Sequence, residues 1–255
     1  MKRHFKFVLA TLALPLLAAA AAPPAHAAPT REIEVPVRRV LFPTQGYDDN
    51  DNAQVMIEGD LPDPCYVIGR QEVSRDATGL VTVRQFAWRD REGACDTGDM
   101  LGDSPFSEEV SLGRLRAGDY RVAYRPERGA PAFRLLHVEP ATVNTTDSLN
   151  YARVTALKMP EIVLAGEHAV VELSGPLRSS CNQIRTPIEV RRQNDVFTIR
   201  PVELERGDCG WSLRTFAQTL DLGLLEPGEY LVHVRSRQGK AVERTFRVLG
   251  HASGG

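Results

Sequence analysis

Phe106–Tyr124 reads FSEEVSLGRLRAGDYRVAY and Phe216–Val234 reads FAQTLDLGLLEPGEYLVHV. Slid by 110 positions, Phe106, Val110, Leu112, Gly113, Leu115, Gly118, Tyr120 and Val122 meet Phe216, Leu220, Leu222, Gly223, Leu225, Gly228, Tyr230 and Val232. On either side of the Gly-containing break, apolar residues alternate with polar or charged ones, the period of a strand with one buried face. The passage predicts two strands joined by a turn, and it is written twice. No stretch of comparable length shows the spacing of an amphipathic helix.

The likeness extends outward. At an offset of 116, Gly59, Leu61 and Cys65 fall on Gly175, Leu177 and Cys181, and Val81-Thr82-Val83-Arg84 falls on Phe197-Thr198-Ile199-Arg200. An offset of 114 matches Cys95 to Cys209, and one of 117 matches Val37, Val40 and Pro43 to Val154, Leu157 and Pro160. Recurrence over a whole unit predicts two copies of one domain, residues 31–139 and 151–249, joined by the polar linker 140–150. In the first copy the expected strands are Arg38–Phe42, Gln54–Glu58, Tyr66–Ser74, Val81–Trp88, Ser107–Leu112, Asp119–Tyr124 and Ala132–Val138. Short strands parted by Gly, Asp and Pro predict an all-β fold of two tandem seven-stranded antiparallel β-sandwiches. In both copies the apolar parity switches near Arg84-Gln85 and Arg200-Pro201, which predicts a bulge or bend.

Lys2, Arg3 and Lys6 precede an Ala-rich apolar run from Phe7 to Ala22, and Ala25-His26-Ala27 places small residues where a signal peptidase reads. Residues 1–27 are expected to be a cleaved signal peptide, giving a periplasmic or secreted protein. Pro15, Pro23 and Pro24 and the shortness of the run argue against a membrane anchor, and nothing later is long and apolar enough to span. Removing those three basic residues takes the formal charge from −2 to −5, which excludes nucleic acid as a natural partner. With 42% apolar and 25% charged residues the chain falls outside the disordered class.

Export into an oxidising compartment makes Cys65, Cys95, Cys181 and Cys209 disulfide candidates. Spacing alone allows three pairings. The repeat selects Cys65–Cys95 and Cys181–Cys209, each within one copy, with Cys65–Cys95 pinning one end of its sandwich and Trp211 close to Cys209.

Leu115-Arg116-Ala117-Gly118-Asp119-Tyr120 and Leu225-Glu226-Pro227-Gly228-Glu229-Tyr230 resemble the tyrosine corner of fibronectin type III and bacterial immunoglobulin-like domains. The resemblance implies that the hydroxyls of Tyr120 and Tyr230 bond back to the backbone just upstream. It carries architecture only, and the cysteine spacing departs from the immunoglobulin inter-sheet bridge.

Candidate chemistry is sparse. His137, His168, His233 and His251 lack the spacing of a metal site and read as surface or strand-face residues. No nucleophile elbow, phosphate loop or zinc motif is present, so neither catalysis nor a cofactor is expected. In Tyr47-Asp48-Asp49-Asn50-Asp51-Asn52, the carboxylates of Asp48, Asp49 and Asp51 are the ones a calcium ion would use. Ala53 and Gly59 stand where such a loop needs Gly and a bidentate Glu, which favours a solvated turn. The expected function is a non-catalytic binding or structural module of adhesion, envelope assembly or spacing, with an envelope protein or surface glycan as partner. The alternative is an extracytoplasmic hydrolase or enzyme inhibitor.

Overall fold

The computed structural model describes residues 32–89, 104–207 and 212–250. The expected leader, Cys95, Cys209, Trp211 and His251 lie outside the described residues, which contain strands and no helix.

In the first half the strands are β1 (Glu32–Val35), β2 (Val37–Leu41), β3 (Tyr47–Asp48), β4 (Asn52–Leu61), β5 (Tyr66–Arg75), β6 (Leu80–Arg89), β7 (Ser104–Arg114), β8 (Gly118–Tyr124) and β9 (Ala132–Glu139). A small sheet, β2-β4-β7, faces a large one ordered β1-β6-β8-β9-β3, with β5 on the other side of β6. In the second half they are β10 (Ala156–Lys158), β11 (Ile162–Leu164), β12 (His168–Pro176), β13 (Asn182–Ile184), β14 (Glu189–Gln193), β15 (Val196–Arg200), β16 (Glu203–Glu205), β17 (Thr215–Leu224), β18 (Gly228–Ser236) and β19 (Lys240–Leu249). There β10-β12-β17 is the small sheet and β11-β19-β18-β15-β14 the large one, with β13 and β16 paired apart. Each half is a β-sandwich.

Alternation explains the cores. Val55 and Ile57 of β4, Val81 and Val83 of β6 and Val122 of β8 point into a first cluster with Phe42, Val110 and Leu136. Val171 and Leu173 of β12, Phe197 and Ile199 of β15 and Val232 and Val234 of β18 build a second with Phe216 and Phe246. Tyr120 donates its hydroxyl to the carbonyl of Arg116 and Tyr230 donates to that of Glu226, both at 2.8 Å.

The first half has more strands than the seven expected. β1 exists because Pro36 has no N–H to give the ladder, so the chain leaves β6 as β1 and resumes on β4 as β2. β3 is a two-residue parallel contact with β9. Nor are the sheets purely antiparallel, as an immunoglobulin sandwich would be. β6 runs parallel to β8, and β15 to β18, because β7 and β17 intervene in the opposite sheet and carry the chain back to the same end.

Parity does not switch within β6. Val81, Val83, Gln85 and Ala87 are all buried and share one parity, while Phe86 lies outward beneath the guanidinium groups of Arg70 and Arg84, 4.0 and 4.9 Å from its centroid. The bulge is in β5, where Gly69 and Arg70 together stand opposite Phe86. The Gln85 amide nitrogen fills it, donating to the carbonyls of Gly69 and Phe86 at 3.1 and 2.7 Å. At Pro201 a bend does occur: β15 ends and the chain passes to β16.

Gly59 and Gly175, matched by the sequence offset, are needed for close approach. A Cβ on Gly59 would stand 2.4 Å from the Pro36 carbonyl oxygen, and one on Gly175 only 1.9 Å from that of Arg153. Both obstacles are backbone. Gly175→Ala is therefore expected to destabilise the fold by about 1–3 kcal/mol, the usual range for overpacking, when measured by urea denaturation.

Candidate functional site: the junction between the halves

By the two-residue period, the outer faces of β4 and β18 belong in solvent. They are not there. Gln54, Met56 and Glu58 of β4 and Leu231, His233 and Arg235 of β18 are all buried. The outer face of β2 and β4 lies against the outer face of β15, β18 and β19, with Leu41, Met56, Val196 and Leu231 forming a third apolar cluster. A strand covered on both sides loses its polar face, which is why β4 and β18 read as buried almost throughout.

Polar groups ring that cluster. Arg235 donates to Asp51 Oδ2 at 2.5 Å, with side-chain exposures of 6% and 1%. The Tyr47 ring meets His233 edge-on at 5.6 Å, and its hydroxyl donates to the Gln54 carbonyl at 3.0 Å. His233 Nδ1 lies 2.5 Å from Glu243 Oε1, both side chains being inaccessible to water. Gln54 Oε1 accepts the Ala241 amide at 2.9 Å. At the rim Arg39 bonds Glu229 at 2.8 Å, and Arg134 donates to the Val40 carbonyl at 2.8 Å and faces Asp195 at 3.4 Å.

Burial sets the charge states here. Removal from water, reinforced by the Glu243 carboxylate, holds the Tyr47 phenol well above its ordinary range. Glu58 is raised by burial and then by Glu229, its Oε2 having no partner among the described residues. Burial works against the charge of Arg235, yet the adjoining Asp51 raises its pKa.

The aspartate-rich turn serves this junction. Asp48 Oδ1 accepts the Asn50 amide at 3.0 Å, Asp49 Oδ1 accepts the Ala141 amide at 2.9 Å, and Asp51 Oδ2 also accepts the Asp48 amide at 3.0 Å. The Asn50 side chain donates to the Val143 and Thr145 carbonyls at 2.9 and 3.2 Å. Asp147 in turn accepts the amides of Gln238 and Gly239 at 2.8 and 2.7 Å. Residues 140–150, expected as a plain polar linker, are thus stitched to both halves. Among the described residues no group of three acidic, histidine or cysteine side chains is arranged to hold a metal.

The other singled-out residues do not converge. Tyr120 and Tyr230 close separate turns, and neither Cys65 nor Cys181 is free. His137 and His168 form exposed pairs with Asp119 and Asp221 at 2.6 and 2.7 Å, whereas His233, read as a surface or strand-face residue, is sealed in the junction. A signal for the junction was present in the offsets that align the chain with itself. Opposite Arg121, exposed, stands Leu231, buried; opposite Glu172, exposed, stands Met56, buried. The aligned positions diverge at the faces that meet.

The fold defines an all-β protein of β-sandwich type. Among protein-family models, the ORF11 beta-sandwich domain matches residues 171–248, from β12 to β19 of the second half, to which that stretch is similar. Comparison with curated proteins and with solved structures returned no match. No described helix is long and apolar enough to cross a membrane.

Two outcomes test the junction. Arg235→Met leaves the Asp51 carboxylate buried without its cation and is expected to cost about 3–5 kcal/mol in urea denaturation at neutral pH. Glu58→Gln keeps the acceptor that faces Thr245 but removes a charge that burial disfavours. Because the native state raises the Glu58 pKa, its protonated form favours folding below the ordinary glutamate pKa of about 4.3, and that benefit is lost as pH rises through the native value. The variant is therefore expected to melt higher than the parent at pH about 7 and equal to it at pH about 3.5.

Proposed function

We propose that the protein is an exported, non-catalytic binding or structural module, in which two repeated, disulfide-pinned sandwiches act as one rigid two-lobed body. The observation that carries this reading is the junction. Its buried apolar cluster and Arg235–Asp51 pair give the halves a fixed mutual geometry, which suits a spacer or adaptor in envelope assembly or adhesion. His233 and Glu243, the pair with the chemistry of an acid–base catalyst, are spent inside it, where a substrate has no access. Equivalent sheet pairings in the two halves support a repeat, and it is the repeat that favours bridges Cys65–Cys95 and Cys181–Cys209, neither Cys65 nor Cys181 being a free thiol. The expected partner is an envelope protein or surface glycan.

The outer face of the large first-half sheet is a contact surface in keeping with this role, since it leaves Phe133 and Leu135 57% and 61% exposed side by side with Arg121. A photo-cross-linking residue placed at Leu135 in producing cells is expected to yield one dominant adduct with an envelope component. Hydrolysis of model ester, peptide or glycoside substrates by the pure protein, lost in Glu243→Gln, would overturn the reading.

A further inference from the structure

A groove of about 280 Å³ opens where β14 and β15 of the second half meet the turn before β3 and the start of the linker. Its walls carry opposite charge. Arg191, Gln193 and Arg200 stand on the second-half side, and Gln45, Asp48 and Glu139 on the first-half side.

Arg200 is the unusual member. Its side chain is only 18% exposed, yet its Nε–H finds no acceptor, and its nearest carboxylate oxygen, Glu189 Oε1, is 3.8 Å from Nη1. That oxygen is held by Arg191 Nε at 2.5 Å, so Glu189 does not satisfy Arg200. Its Nη2 packs close to Gly46, where a Cβ would stand 3.3 Å away. A part-buried guanidinium whose enclosed Nε–H lacks an acceptor gains when a ligand supplies oxygens. Gln193 Oε1 is an acceptor likewise buried without a donor. On the opposite wall Asp48 uses one carboxylate oxygen for the Asn50 amide, and burial followed by the nearby Asp51 raises its pKa, so a cation there would relieve it.

A simple anion would suit Arg200 but meet Asp48 and Glu139; a simple cation would suit those carboxylates but meet Arg191 and Arg200. We infer that the groove binds a small zwitterion, an α-amino acid or a short peptide, with its carboxylate on Arg200 and its ammonium between Gln193 Oε1 and the Asp48–Glu139 wall. The volume falls just under the roughly 300–1,000 Å³ of sites for drug-sized ligands, which suits one or two residues. Bidentate capture of a carboxylate is what a fixed guanidinium does best. The inference rests on the fixed placement of the two halves, each of which supplies one wall of the groove, and not on the Phe133–Leu135 contact surface.

Calorimetric titration of the whole protein tests it, with L-alanine, D-alanine and L-alanyl-L-alanine as probes and N-acetylalanine and alaninamide as blocked controls. Heat is expected from a free or dipeptide probe below about 10 mM, with each blocked form at least about tenfold weaker, as the loss of one charge-assisted hydrogen bond implies. The relative affinity of alanine and dialanine decides between an amino acid and a peptide terminus. Arg200→Gln is expected to weaken binding at least about tenfold, with Arg200→Lys intermediate. Should Arg200→Gln fail to fold, Asp48→Asn tests the ammonium end, where alanine should weaken and N-acetylalanine should not. No heat from any probe, blocked forms binding as well as free ones, or unchanged affinity in the folded variants would overturn the inference.

Discussion

Asp51 and Arg235 meet where water does not reach, and the placement of one half of the chain on the other depends on that contact. A buried ion pair seldom adds much stability over an apolar replacement, but it penalises every arrangement that separates its members. Here it lies beside Leu41, Met56, Val196 and Leu231, which gain by burial in almost any orientation. The apolar cluster supplies adhesion and the pair supplies register. Tyr47, Gln54, His233 and Glu243 complete a layer in which most polar groups are answered across the seam or within their own sheet.

Much of this could be read from sequence. β8, which carries Tyr120, alternates because one face packs on a core, and β18 keeps the same inward set of Tyr230, Val232 and Val234. The all-β character and the two cores follow from such alternation. What escaped was written in residues that suit either solvent or a buried polar layer. Gln54, Glu58, His233 and Arg235 look like the outward residues of a half-exposed strand, and only the opposite sheet makes them interior. The parity switch in β6 misled for a related reason: Phe86 is apolar and outward, covered by arginine side chains instead of by a core. Asp48, Asp49 and Asp51 were legible as a turn but not as the fastening of the linker, since a carboxylate accepting distant amides has no local signature.

The parallel pairings of β6 with β8 and β15 with β18 place the same strands at the centre of each large sheet. In the second half this puts β15 and β18 under the first half, so Val196, Leu231 and Arg235 face the junction. In the first half the equivalent outer face is open, and there β8 and β9 present Arg121, Phe133 and Leu135. The large sheet thus makes an internal joint in the second half and leaves a free surface in the first.

The central claim is that two sandwiches share their stability through a common buried layer. Differential scanning calorimetry of the whole protein tests it most directly. A single transition is predicted, with calorimetric and van't Hoff enthalpies in agreement, as for one cooperative unit. Two resolved transitions, each carrying the enthalpy of one half, would contradict the account.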